Sequence, residues 1–393
     1  MKPAAVINTE AIQAMRRGAV TEARAMLRQA VSVHAKDLSL WLNLGAACRA
    51  QGDIDAALAA VEGALGVAPR SFHALLMKAS LLERRGDARM AGLGYGLALH
   101  QAPAPDQLDE PTRRALEHAR EFRAQYELDL RTHLMDVSAD AAALSRSPET
   151  RRVAAFIEHL SGARRRFQQN PLVFFYPGLP SIEFYPSEDF PWLPAVEAAT
   201  ADMQRELMAV SNGDPEAPGF TPYVAYSAGV PLDQWVELNH SPRWNAYHLL
   251  KDGDPVDGQA DRCPATLAAL KHAPQPEVTR RSPVAMFSVL QARTRIPPHT
   301  GVSNTRLVVH LPLVLPPDCG FRVGNETRAW SLGHGWVFDD TIEHEAWNDS
   351  DRPRTILIFD IWSPFLSAAE RELVSRISAA MDGFHGAGPT GEI

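Results

Sequence analysis

The fold is decided by two segments, Arg306-Leu-Val-Val-His-Leu311 and Arg354-Thr-Ile-Leu-Ile-Phe-Asp-Ile-Trp362. Both are short and rich in β-branched residues, with polar residues among the apolar ones, which predicts β-strands. Side chains two residues apart share a face of a strand, so we expect Arg306 on the same face as His310 and Arg354 on the same face as Asp360. If these faces point inward, the sheet carries charged and imidazole groups into the domain interior.

Other short apolar runs surround these two segments. They begin at Trp235, Trp244, Val284, Phe321 and Gly335. Glycine, proline and asparagine separate the runs, a pattern typical of an antiparallel sandwich or jelly roll and not of a parallel α/β sheet. Proline becomes frequent after Gln169, so we expect one domain over residues 171–385, with a helix from Leu193 to Val210.

The first hundred residues repeat with a period of 34. The repeated positions are Gly18, Gly52 and Gly86, and Ala23, Ala57 and Ala91. Glycine closes a helical turn and small residues let paired helices approach closely, so the pattern predicts stacked helix-turn-helix units. Their length and spacing resemble tetratricopeptide repeats, about three of which fit residues 1–103. Helices over residues 104–170 are expected to cap and connect this α-helical array.

Two interpretations of the repeats stay open. Stacked repeats form a concave groove, which could recruit a peptide or protein. Alternatively, the array is a helical cap that docks on the C-terminal domain or dimerises. The sequence favours neither interpretation.

The overall charge argues against a polyanionic partner. The formal net charge is -8 and the pI is near 6.0, whereas nucleic acids and anionic membranes attract clustered positive charge. The three cysteines are widely separated, so neither a disulfide framework nor a cysteine zinc site is expected. No apolar run has the length of a signal peptide or a membrane span, and we therefore expect a cytoplasmic protein.

Two histidines have the setting of metal ligands. His299 follows two prolines in the turn-rich segment Ile296-Pro-Pro-His299, and His344 lies in a polar cluster near another predicted strand. Neutral imidazoles that leave other positions open suit a non-haem Fe(II) centre, where a chelating cosubstrate and dioxygen must both reach the metal. Arg354, at the start of its strand, can bind a carboxylate through two hydrogen bonds, and Ser288 can add a third.

Several strings then point to a known family. They are Phe287-Ser-Val-Leu, Pro298-His-Thr-Gly, Ser303-Asn-Thr-Arg-Leu, Asn325-Glu-Thr-Arg-Ala-Trp330, Phe338-Asp-Asp and Glu343-His-Glu-Ala-Trp347. Together they resemble the aspartyl/asparaginyl β-hydroxylases, a branch of the 2-oxoglutarate- and Fe(II)-dependent dioxygenases with a double-stranded β-helix. The resemblance extends more weakly through Trp244-Asn-Ala-Tyr and Cys263-Pro toward Leu172.

This resemblance implies a cofactor role for five residues. His299 and His344 would bind Fe(II). Arg354 and Ser288 would hold the distal carboxylate of the cosubstrate 2-oxoglutarate, and His310 would lie by the carboxylate next to its keto group. The implied reaction consumes dioxygen and releases succinate and carbon dioxide.

The resemblance also implies a substrate. Arg306, Asp340 and Trp244 are predicted to contact an Asp or Asn side chain of a peptide or protein, which the repeats would help to recruit. A small amino acid or an acylated lipid precursor is an alternative substrate. From a different class, the alternative is a non-catalytic tetratricopeptide scaffold with a degenerate jelly roll.

Three positions depart from related patterns. Gly301 stands two residues after His299, where most such oxygenases have a carboxylate ligand, a difference that this family shares. Well-studied animal members have arginine in place of Val308 and glutamine in place of Ala246. Glu343 and Glu345 flank His344, so strand alternation is expected to point both carboxylates away from the metal.

Overall fold

The computed structural model describes residues 2–137, 148–214 and 216–385. The chain divides into two compact units, Met1–Arg164 and Arg165–Ile393. The division falls a few residues before the predicted boundary between residues 170 and 171. Each unit buries its own apolar core.

The first unit begins with three pairs of helices. The pairs are α1 (Ala4–Arg16) with α2 (Val20–Val33), α3 (Leu38–Ala50) with α4 (Ile54–Val67), and α5 (Phe72–Arg84) with α6 (Ala88–His100). Gly18, Gly52 and Gly86 close the turns within the pairs with φ of +83°, +77° and +87°, a conformation that disfavours other residues. The repeated alanines at 23, 57 and 91 are fully buried. The predicted helix-turn-helix array with a period of 34 is therefore confirmed.

Two further helices complete this unit. They are α7 (Glu110–Val137) and α8 (Pro148–Leu160). Helix α7 contributes Leu116 and Ala119 to the core of the array, and the ring of Tyr126 packs directly over Gly92 of α6. A side chain at position 92 would collide with that ring, so the glycine permits the close approach of α7 to α6.

The second unit consists mainly of two antiparallel sheets. Its strands are β1 (Phe184–Tyr185), β2 (Thr221–Pro222), β3 (Trp244–Lys251), β4 (Asp254–Pro255), β5 (Ala285–Leu290), β6 (Thr294–His299), β7 (Arg306–Val314), β8 (Cys319–Val323), β9 (Glu326–Ala329), β10 (Trp336–Phe338), β11 (His344–Asn348) and β12 (Arg354–Trp362). The larger sheet has the order β1-β10-β7-β12-β5-β3-β2, with β4 beside β3, and the smaller has the order β6-β11-β8-β9. An antiparallel β domain is thus confirmed, while a closed double-stranded β-helix stays a prediction.

Apolar side chains pack against both faces of the larger sheet. One core joins its inner face to the smaller sheet through residues such as Ile356, Ile296 and Phe321. A second core joins its outer face to helices α9 (Leu193–Glu197), α10 (Thr200–Ser211) and α11 (Pro264–Leu270). Helix α12 (Ala368–His385) ends the described part of the unit, and among the described residues no helix has the length and apolar character needed to cross a membrane.

Two predicted elements differ from the structure. The helix expected from Leu193 to Val210 is interrupted between α9 and α10, where the Thr200 hydroxyl donates to the Glu197 carbonyl and competes with regular helical bonding. The strand expected at Trp235 was wrong, because Trp235 ends a short 3-10 turn. Its side chain and that of Leu238, three residues on, are both buried.

A β-bulge aligns the two candidate metal ligands. Ile296 of β6 pairs with Ala346 of β11, yet His299 pairs with His344, so β6 has one more residue than β11 between these two pairs. The extra residue falls at Pro297 and Pro298, which have no N–H group to donate to a regular ladder. In a regular strand a residue three positions after Ile296 would lie on the opposite face, and the bulge returns His299 to the face of Ile296, so that both residues line the same cavity.

Candidate active site

A cavity of about 800 Å³ lies against the inner face of the larger sheet. Its lining includes alternate residues of three adjacent strands: Arg306, Val308 and His310 of β7, Arg354, Ile356, Ile358 and Asp360 of β12, and Met286 and Ser288 of β5. The predicted sharing of faces within β7 and β12 is therefore confirmed. His299, His344, Trp244 and Asp340 line the same cavity, so the structure brings all eight candidate site residues together.

The two histidine rings face each other at the cavity wall. Their centroids are 4.0 Å apart, with an angle of 52° between the ring planes. Nδ1 of His299 lies 2.8 Å from the Pro297 carbonyl oxygen, and Nδ1 of His344 lies 3.0 Å from the Ile342 carbonyl oxygen. A carbonyl oxygen only accepts, so each Nδ1 donates its proton and each Nε2 keeps a lone pair for a metal.

Burial keeps both imidazoles neutral. It lowers the pKa of His344 to about 4 and the pKa of His299 well below its usual value, an effect that the neighbouring His344 reinforces. Neutral imidazole is the form that binds a metal ion. In residues 2–137, 148–214 and 216–385, no group of three or more His, Cys, Asp or Glu side chains is arranged to hold a metal, so the pair at 299 and 344 is a two-ligand arrangement.

Asp340 approaches Gly301 so closely that position 301 has no room for a carboxylate side chain, which would be the third metal ligand. A Cβ atom at position 301 would lie 2.0 Å from Oδ2 of Asp340, so the Asp340 carboxylate fills the space that a side chain at 301 would need. The Gly301 N–H also donates to the Asp340 carbonyl oxygen at 2.6 Å. Arg306 fixes the carboxylate from the other side with a contact of 3.2 Å from Nη2 to Oδ2, while Oδ1 is buried without a partner among the described residues.

Replacing Gly301 by alanine should therefore destabilise the domain. We expect a cost of about 1–3 kcal/mol, because overpacking forces Asp340 away from Arg306. Differential scanning calorimetry measures this cost as a fall in Tm. The matched background is Asp340→Ala, in which the added methyl group has space, so Gly301→Ala should cost clearly less there. An equal cost in both backgrounds would contradict the packing account.

Arg354 is a fully buried cation. The residue is 1% exposed, and its Nε and Nη1 atoms have no hydrogen-bond partner among the described residues. Burial lowers its pKa to about 10, so the guanidinium stays charged at neutral pH. The ring of Trp330, 5.3 Å from Cζ, offsets only part of the loss of water. A buried unpaired charge is costly, so this arrangement fits an anionic ligand with two acceptor oxygens.

Two neighbours of Arg354 have free hydrogen-bonding capacity. Ser288 lies beside Ile356 in the β5–β12 ladder, and its Oγ accepts a bond of 3.0 Å from Nε1 of Trp244, which leaves the hydroxyl proton available. Nδ1 of the buried His310 has no partner in the described part of the chain. Burial lowers the pKa of His310, and the charge of Arg354 lowers it further, so its ring is neutral.

Aromatic side chains pack around the site residues, and most of them are not predicted from the sequence. Trp244 stacks on Tyr223 with a centroid distance of 3.9 Å, and the edge of Trp235 contacts the His299 ring at 5.1 Å. Trp330 stacks on His310 at 5.7 Å and lies against Arg354. The sequence predicts a strand at Trp235 and gives no signal for the contacts of Trp330.

The remaining sequence expectations concern side chains around the cavity. Glu343 and Glu345 both bind Arg322, at 2.9 Å and 2.5 Å, so the prediction that they point away from the metal agrees with these ion pairs. Val308 lines the cavity between Arg306 and His310 and carries no charge. Ala246 is fully buried within β3.

Comparison with known proteins gives a match over this second unit. Residues 197–364 match the family described as aspartyl/asparaginyl beta-hydroxylase. The aspartyl/asparaginyl beta-hydroxylase of Mus musculus is 34% identical over 150 residues, which are 38% of this chain and 20% of the mouse protein. The ornithine lipid ester-linked acyl 2-hydroxylase of Rhizobium tropici is 30% identical over 197 residues, which are 49% of this chain and 65% of that protein. The chain thus spans less than two thirds of these relatives.

The solved structures that match include the Sgt2 tetratricopeptide domain from Aspergillus fumigatus. The match covers 30% of this chain and 77% of that domain, with 21% identity and a TM-score of 0.27.

Proposed function

We propose that the second unit is an Fe(II)- and 2-oxoglutarate-dependent dioxygenase with a double-stranded β-helix, because residues 197–364 match the family described as aspartyl/asparaginyl beta-hydroxylase. The observation that carries this proposal is Arg354, a buried cation with two free N–H donors in the same cavity as two neutral imidazoles. A metal ligand set and a carboxylate anchor in one cavity are what a 2-oxoglutarate oxygenase requires.

The residues present fit the metal and the cosubstrate. His299 and His344 would hold Fe(II) through Nε2, because both Nδ1 atoms are already committed to carbonyl groups. Arg354 and Ser288 would bind the distal carboxylate of 2-oxoglutarate, with His310 by the carboxylate next to the keto group. When bound, Fe(II) and 2-oxoglutarate use dioxygen to replace a C–H bond by C–OH, with one oxygen entering the product and the other entering succinate as carbon dioxide leaves.

Protein groups on the substrate side supply orientation. Arg306 and Asp340 form a buried pair that lines the cavity, and Asp340 keeps one oxygen free to accept a hydrogen bond. Following the family, the expected substrate is an Asp or Asn side chain of a peptide or protein, with Trp244 in contact with it and the repeats as recruiting surface. The name of the Rhizobium relative supports a second candidate, a fatty acyl chain. In both candidate substrates, the carbon that would be hydroxylated is bonded to a carboxyl-derived carbon.

A non-catalytic scaffold is the alternative of a different class. A scaffold with no ligand in this cavity would gain nothing from a buried arginine whose charge is unpaired, since an apolar side chain of similar volume is usually at least as stable. Arg354 therefore favours the enzyme.

An anaerobic titration tests the proposal. The full chain is mixed with Fe(II) and then with 2-oxoglutarate, and we expect a weak visible charge-transfer band that saturates at one equivalent of each. Admission of oxygen should then release succinate. A chain that gives neither the band nor succinate would be the scaffold. Heat-denatured protein serves as the control for free iron.

A further inference from the structure

The cavity extends well beyond the candidate metal ligands. Along β12 its lining runs from Arg354 through Ile356, Ile358 and Asp360 to Trp362. With roughly 3.3 Å per residue in a strand, these eight steps span about 26 Å. The cosubstrate anchor lies at one end of this length, so most of the cavity is left for another molecule.

The far end of the cavity, which we term the outer arm, has apolar side chains on three walls, and the charged residues Lys251, Asp252, Arg280 and Arg281 also belong to the cavity lining. A strap at residues 173–176 forms one wall, helix α12 forms another, and the segment before β5 forms a third. The apolar side chains that line the outer arm are Val173, Phe174, Phe175, Tyr176, Val278, Val284, Trp362, Val374 and Ile377. Three of them, Val173, Phe175 and Ile377, are more than half exposed, so an apolar rim surrounds the opening.

Main-chain groups around the outer arm are already paired. Strand β12 forms ladders with β5 on one side and β7 on the other. The N–H groups of Leu172, Val173 and Phe174 donate to the carbonyls of Gly301 and Val302 at 2.9–3.1 Å. A bound peptide would bring its own N–H and C=O groups, which need partners when buried, and the main-chain groups named here are already used.

Three hydroxyl groups of the outer arm are also hydrogen-bonded. Ser282 Oγ donates to Asp360 Oδ2 at 2.5 Å, and the Ser303 and Thr305 hydroxyls lie 2.7 Å apart in a mutual hydrogen bond. The Arg281 guanidinium binds Asp382 and lies over the Phe174 ring. A hydrocarbon chain needs no hydrogen bonds and gains free energy from each buried methylene group.

We propose that the outer arm binds the hydrocarbon chain of an amphiphilic substrate, whose carboxyl-derived head group lies near Arg306, the partner of Trp362 in the β7–β12 ladder. The inference rests on the proposed function for the identity of the reaction, but chain binding depends only on the outer arm. Among the two substrate candidates, the paired main-chain groups favour an acyl chain over a peptide.

Binding of a fluorescent fatty acid tests this inference. A long-chain polyene fatty acid, whose emission rises in apolar surroundings, is titrated into the full chain without iron or 2-oxoglutarate. We expect saturable emission that a long-chain alcohol displaces. The alcohol has no carboxylate, so its competition reports the chain and not attraction to Arg354. A short-chain fatty acid should displace the probe poorly. An Asp-containing peptide that displaced it as well as the alcohol would overturn the inference.

Exposed residues provide matched variants that should fold. Ile377→Asp places a charge at the outer arm, whereas Leu373→Asp places one on the same helix outside the cavity lining. These residues are 58% and 51% exposed. Phe175→Asp and Leu172→Asp form the same kind of pair in the strap. We expect the two lining variants to weaken probe binding at least about tenfold, because a charge is costly in an apolar site, and the two controls to stay near wild type. Equal losses in lining and control variants would overturn the inference.

The outcomes separate this inference from the proposed function. Probe binding without any succinate formation would support the site for the hydrocarbon chain and contradict the dioxygenase function. Succinate formation without probe binding would support the dioxygenase function and contradict the site for the hydrocarbon chain.

Discussion

Replacing His299 or His344 by alanine is expected to abolish hydroxylation and Fe(II) binding together. The described residues offer only these two imidazoles as a paired ligand set, so either substitution leaves a single protein ligand. The loss should exceed the roughly 10–100-fold that removal of an outer hydrogen-bonding partner costs at a metal site. Anaerobic calorimetric titration with Fe(II) measures the affinity, and succinate release measures turnover.

An exposed histidine is the control for this pair. His334 has a side chain that is 70% exposed, and it lies outside the cavity lining. His334→Ala should bind Fe(II) as the wild type does. If His299→Ala kept wild-type affinity while its circular dichroism spectrum was unchanged, the assignment of the ligands would be wrong.

Replacing Arg354 by methionine should raise the 2-oxoglutarate concentration needed for turnover. Loss of a buried charge-assisted pair costs about 2–5 kcal/mol, which corresponds to roughly 30- to 4000-fold in affinity. The same substitution should leave the Tm of the protein without ligand unchanged or higher, because it removes an unpaired buried charge while nearly preserving volume. Succinate assays over a range of 2-oxoglutarate concentrations and calorimetry of the ligand-free protein measure the two effects.

Arg306→Met is the comparison for Arg354→Met. Arg306 is already paired with Asp340, so its loss should lower the Tm and leave the demand for 2-oxoglutarate much closer to the wild-type value. If both variants needed equally more 2-oxoglutarate for turnover, the assignment of Arg354 to the cosubstrate and Arg306 to the substrate would be wrong. A lower Tm for Arg354→Met would show that its guanidinium has a partner in the ligand-free protein.

Local pattern predicted much of the architecture. The strand from Arg354 to Trp362 has the predicted bounds, because its apolar run is long and a proline precedes it. The turn glycines Gly18, Gly52 and Gly86 were identified from their spacing, since only glycine adopts their backbone conformation without strain. The candidate residues on β7 and β12 were placed on shared faces by alternation alone, which needs no knowledge of the rest of the fold.

What the sequence did not predict depends on contacts between distant segments. The run Trp235-Val-Glu-Leu alternates as a strand does, yet Trp235 ends a 3-10 turn and its side chain packs against His299. The space taken by Asp340 over Gly301 becomes visible only when β10 and the end of β6 are brought together. The free N–H groups of Arg354 follow from the complete environment of that side chain, so pattern alone could suggest a carboxylate anchor but not its unpaired state.

The bulge at Pro297 and Pro298 makes chain length a determinant of this site. A related sequence could keep every candidate residue and still differ by one residue between Ile296 and His299. With one residue fewer, pairing with β11 would run without interruption and the imidazole would stay on the side of Ile296. With the spacing found here but no bulge, the imidazole would emerge on the opposite side of the sheet. Judging whether such a relative is an enzyme therefore requires counting the residues between these landmarks as well as identifying them.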